Sequence, residues 1–199
     1  MKARATVASS LTTAVAALVM SAGFIPTAAA ADCDGVSFPQ QIQSSAGTLT
    51  LNGLGLRKAT VFSIKVYVGA LYLAHPTRDA QAILSSREPA EIDLGFVFRV
   101  SASQLRSAWK EGFEKSAGTQ LPQLQSRIAQ LNGWMTGVKS GQRMTFLRIP
   151  GVGIRYALDG KVQGTIAGDD FARAFLAIWL GPSPPNAELR TGLLGGACT

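Results

Sequence analysis

"EIDLGFVFRVSASQLRSAWKEGF", residues 91–113, changes its hydrophobic period once, at Ser101. Before that point Ile92, Leu94, Phe96, Phe98 and Val100 alternate with Glu91, Asp93, Gly95, Val97 and Arg99, the two-residue repeat of a strand over Glu91–Val100. One face of such a strand packs on a core, and the other is wet or lines a partly polar space. After Ser101, Leu105, Trp109, Gly112 and Phe113 fall on one helical stripe, and Gln104 stands three residues from Ser101, the spacing of a capping box. A sheet and a helical layer are both required to bury these two faces.

Downstream, Leu124, Ile128 and Leu131 recur at helical spacing and predict a helix over Leu121–Leu131. Arg143–Ile149, Gly153–Leu158 and Lys161–Ile166 read as strands, with Asp159 and Gly160 as the tight turn between the last two. Gly168–Leu180 returns to helix with Phe171, Phe175, Ile178 and Trp179 inward, Gly181-Pro182 ends it, and Ala187–Leu194 predicts a last helix. Upstream, a polar lead-in gives way to strands over Gly47–Leu54 and Thr60–Leu73, then to a short helix over Thr77–Ser86 capped by Thr77. Strands cluster early and late with helices between and after them, so the class is α+β with a mostly antiparallel sheet.

Residues 1–31 have the layout of a secretory signal peptide: Lys2 and Arg4, an apolar run over 11–24, then Ala29 and Ala31 before Asp32. The expected mature chain is a single domain over 32–199, periplasmic or secreted, with no integral membrane segment after signal removal. Without Lys2 and Arg4 it carries 17 basic against 12 acidic residues, a net charge of +5. These charges are scattered singly through apolar patterns, which argues against a nucleic-acid partner. The two cysteines, Cys33 and Cys198, stand at opposite ends of the mature chain and suggest a disulfide between the termini, with free thiols or an intermolecular bridge as alternatives.

Chemistry-bearing groups are few. The single histidine, His75, has no Cys, Asp or Glu beside it in the sequence for a zinc site or a catalytic triad; its one functional use is as an axial ligand to haem iron, against the plainer reading of an exposed turn residue. Gly53-Leu54-Gly55 is not a nucleotide loop, because Lys58 stands in the place of a third glycine; a bend or a close backbone contact explains the pair. Asp169 and Asp170 suit the positive end of the helix they open. Trp109, Trp134 and Trp179 read as core. Arg57 on one strand and Tyr67 on the next can together hold a carboxylate or enolate oxygen. On the residues alone, the plainer reading is the better one: Arg57 as a solvated strand-end charge and Tyr67 as an amphipathic packing residue.

Five stretches resemble, in order, the bacterial exported branch of the chalcone isomerase-like family: "NGLGLRK" (52–58), "IKVYVGALYL" (64–73), "VSASQLRSAWKEGF" (100–113), "GTIAGDDFARAFLAIWLGPSPP" (164–185) and "LLG" (193–195). The resemblance implies an α+β open-faced sandwich, a large antiparallel sheet covered by helices with a ligand cleft between them. It implies that Arg57 is the family's cleft arginine and that Tyr67 stands where fatty-acid-binding relatives have a tyrosine that joins it on a carboxylate. The plant isomerases place a tyrosine and an asparagine at the opening of the helix that here reads Ser101, Ala102, Ser103, Gln104, with neither present. The expected protein is therefore a non-catalytic binder of a small amphipathic acid such as a fatty acid, without a cofactor. Haem binding, with Arg57 on a propionate and His75 at iron, and a weak isomerase or lyase are the alternatives.

Overall fold

A computed structural model of the protein describes residues 30–59 and 62–199. The expected signal peptide lies outside the described residues except for Ala30 and Ala31. Among the described residues the strands are β1 (Ala30–Cys33), β2 (Val36–Pro39), β3 (Gln41–Ser44), β4 (Gly47–Ala59), β5 (Ile64–Leu73), β6 (Ala90–Phe96), β7 (Arg143–Ile149), β8 (Gly153–Leu158) and β9 (Lys161–Ala167). The helices are α1 (Ala80–Ser85), α2 (Ala102–Ser116), α3 (Leu121–Gly133), α4 (Asp169–Leu180) and α5 (Ala187–Leu193). Strands β3 to β9 form one seven-stranded sheet in sequence order, every neighbour antiparallel, and β1–β2 is a separate hairpin.

The alternation in β6 decides which layer lies on which side. Ile92, Leu94 and Phe96 join the buried stripes of α2, α3 and α4 in one large core that includes the rings of Trp109, Phe146 and Phe175. The opposite face is not bare. Phe38 and Cys33 from the β1–β2 hairpin pack there on Leu54, Leu56, Val68, Ala70 and Tyr72. On that side the carboxylate of Asp93, buried at 8% exposure, accepts from Arg143 Nη1 at 2.6 Å, and the Arg143 guanidinium lies over the Phe38 ring.

Several boundaries differ from the sequence reading. The strand expected to reach Val100 stops at Phe96, because the Val97 and Phe98 amides both turn to the Val66 carbonyl and the chain leaves the sheet. Phe98 is thereby left 47% exposed. The polar lead-in holds β1, β2 and β3, each of four residues and too short to show a period. β4 runs on through Arg57 to Ala59, and Phe62 and Ser63 form the turn before β5. Asp79, not Thr77, caps α1: the Asp79 carboxylate accepts from the Gln81 and Ala82 amides, while the Thr77 amide donates to Asn52 Oδ1. The capping box at Ser101 and the Asp159-Gly160 turn, both residues at positive φ, form as the sequence predicts.

The glycines of "NGLG" have a tertiary purpose. A Cβ on Gly53 would lie 2.1 Å from the Gly192 carbonyl oxygen, and one on Gly55 would lie 2.3 Å from that of Leu189. Only bare backbone on β4 lets α5 settle this close. A β-bulge at Asn52 sets the contact, with Asn52 Nδ2 donating to the Leu193 carbonyl at 2.9 Å. The disulfide Cys33–Cys198, with Cα atoms 6.1 Å apart, ties the β1–β2 hairpin to the chain end beyond α5.

Candidate functional site

Arg57 and Tyr67 are register partners on β4 and β5, and both line a cavity of about 330 Å³ between the end of the sheet and α2. Val66, Leu94 and Phe96 form its sheet wall, Leu105, Ala108 and Trp109 its helical wall, and Ile178 and Trp179 of α4 its floor. The walls are thus mainly apolar, with a few convergent polar groups, which is the usual make-up of a small-molecule site.

The polar groups have defined states. Trp179 Nε1 donates to Tyr67 Oη at 3.0 Å, which satisfies the phenol as an acceptor and leaves its own proton to donate. Burial raises the Tyr67 pKa, against smaller lowering effects from the Trp179 hydrogen bond and the Arg57 charge, so the phenol is a neutral donor at ordinary pH. Arg57 is half-buried; its Nη1 donates to the Lys58 carbonyl, and no other hydrogen bond of its guanidinium is made among the described residues. The guanidinium is held by one contact and keeps further donors for a ligand.

At the mouth, Glu111 accepts from Lys115 Nζ at 2.5 Å, one helical turn away. Lys115, and with a smaller effect Arg57, hold the Glu111 carboxyl below its ordinary pKa. Arg99 also lines the cavity, so its charged lining is three cations against the one carboxylate of Glu111. The field at the opening favours an anion.

Sequence reasoning paired Arg57 with Tyr67, and the structure brings them together. It does not bring His75 to them. His75 follows the far end of β5 from Tyr67, is largely exposed, and bonds Glu88 Oε1 at 2.9 Å. Six residues of strand between Tyr67 and Leu73 span about 20 Å, so the haem arrangement that joins Arg57 and His75 on one ligand is not supported by this geometry. By sequence Trp179 reads as core; its indole does pack there, against Phe175, while its N–H donates to the Tyr67 phenol. That contact crosses 112 positions of sequence and leaves no local signal. The Glu111–Lys115 pair is visible as an i, i+4 spacing, but its place at a cavity mouth is not.

The fold and cavity together define an α+β sandwich with a cleft between a curled antiparallel sheet and its helical layer. The chain belongs to the chalcone isomerase-like family, whose model matches residues 30–195. Among solved structures it is similar to the Arabidopsis thaliana fatty-acid binding protein AtFAP1, with a TM-score of 0.68 at 17% identity over 80% of this chain and 92% of that one. No curated protein matches the chain.

Proposed function

We propose that this protein is a non-catalytic binder of an amphipathic carboxylic acid such as a fatty acid, acting in the periplasm or outside the cell. The observation that carries the reading is the pairing of Arg57 with Tyr67 inside an apolar cavity, the phenol oxygen accepting from Trp179 and its own proton left to donate. A carboxylate placed there takes two donors from the guanidinium and one from the phenol. The acyl chain then lies against Val66, Leu94, Phe96 and Leu105, each buried methylene contributing about 0.8 kcal/mol. The name of the Arabidopsis relative supports the same ligand class. The α2 opening offers Gln104 to the cavity and neither the tyrosine nor the asparagine of the plant isomerases, which favours binding over isomerisation. The disulfide supports an oxidising compartment.

Titration of a fluorescent fatty acid into the purified mature protein, with native mass spectrometry of freshly purified material, tests the reading. Saturable one-to-one binding, displaced by unlabelled fatty acid but not by the corresponding alcohol, is expected. Equal displacement by acid and alcohol removes the carboxylate site.

A further inference from the structure

Three of the large exposed apolar side chains, Phe62 (83% exposed), Ile64 (40%) and Phe98 (47%), belong to the lining of the same cavity or to the turn beside it. Ile64 and Phe98 line the cavity, and Phe62 stands in the β4–β5 turn two residues before Ile64. The segment after β6 is tied to β5 just beyond that turn, since the Val97 and Phe98 amides donate to the Val66 carbonyl at 3.0 and 3.2 Å. Cations surround this rim. Lys58 and Lys65 are register partners beside the turn, and Arg99 adjoins Phe98, is exposed and forms no ion pair among the described residues. Lys65 pairs with Asp34 and Lys115 with Glu111, whereas Arg57, Lys58 and Arg99 form no ion pair among the described residues, although Arg57 and Lys58 act at longer range on Glu111 and Glu188.

We infer that this rim is a membrane-docking face, on which the protein sits against an anionic lipid bilayer with Phe62, Ile64 and Phe98 in the interfacial layer and the cations on the lipid headgroups. The inference rests on the proposed ligand class, because a bilayer is the natural reservoir of an amphipathic acid. Apolar side chains flanked by Lys and Arg bind such a surface through buried area and headgroup attraction together. The face and the cavity mouth are continuous, so an acyl chain passes between bilayer and cleft without crossing water. No helix among the described residues is long and apolar enough to cross a membrane, so the contact is peripheral.

The test uses the mature protein with phosphatidylcholine vesicles prepared with and without phosphatidylglycerol. Co-sedimentation is expected on the anionic vesicles, falling with added salt and much weaker on the neutral ones. Phe62→Ser should lower partitioning about tenfold and Arg99→Gln about fivefold. Phe62→Ser should leave solution affinity for a fluorescent fatty acid unchanged. Transfer of that fatty acid from protein to anionic vesicles should quicken with vesicle concentration, as expected for contact rather than release into water. Partitioning that is absent, or indifferent to both lipid charge and Phe62→Ser, overturns the inference. If solution binding of the fatty acid is intact in that case, the proposed function survives without it; if solution binding is itself absent, both fall.

Discussion

At the scale of single residues, Arg57 is the side chain on which the binding reading depends. Arg57→Ala removes charge-assisted donors from a carboxylate in an apolar cavity and should cost about 2–4 kcal/mol of binding with little loss of folding stability. Arg57→Lys should recover only part, since an ammonium keeps the charge and loses the planar fork. Tyr67→Phe should cost less and should not add to Arg57→Ala, because both groups hold the same oxygens. Fatty-acid titration of each variant beside a urea unfolding curve checks all three. Glu91, on the other face of β6, offers a pH test. Burial and the nearby Asp93 carboxylate raise its pKa to about 7, and its carboxyl accepts no hydrogen bond among the described residues. The unfolded chain loses this proton near the ordinary value of 4.5, while the folded chain keeps it to about 7. This contribution to stability is therefore complete below pH 4.5 and is lost as pH rises to about 7, by an amount on the order of 3 kcal/mol. Glu91→Gln should flatten that slope in urea melts taken across the range.

At the scale of elements, the contact of α5 with β4 is decided by atoms that are missing. Gly55→Ala places a methyl against the Leu189 carbonyl, where backbone rather than a flexible side chain must yield, and should destabilise by about 2 kcal/mol or more. Gly133→Ala is the control. Gly133 ends α3 with open space around its Cβ position, so alanine should be neutral or stabilising by about 0.5 kcal/mol. Chemical denaturation of both variants separates close approach from a general effect of glycine replacement. Helices α2 and α4 were legible because Leu105, Trp109 and Phe113 in the first, and Phe171, Phe175 and Trp179 in the second, keep their period over about two turns. β1 to β3 were not legible. Four residues cannot establish an alternation, and their pairing depends on partners that only the folded chain brings near.

At the scale of the molecule, the Cys33–Cys198 bridge closes a separation of 165 residues and holds the hairpin that covers the outer face of the sheet. Cys198→Ser should lower stability by about 2–5 kcal/mol, and thiol counting by mass spectrometry on denatured, unreduced wild-type protein should find no alkylatable cysteine. The α+β class and the order of the main strands and helices were legible in the sequence. Those features follow from periodicity and from residues near one another in the chain, since side-chain direction within a strand or helix is a local property. The facing of Arg57 and Tyr67 across adjacent strands comes instead from the β4–β5 register. Only the tertiary structure decided which face of each strand meets helices and which meets the hairpin, that Trp179 donates to the Tyr67 phenol, and that His75 lies at the far end of the sheet from Arg57. These depend on the packing of elements many residues apart, and the physical reason is that burial is a property of the assembled layers.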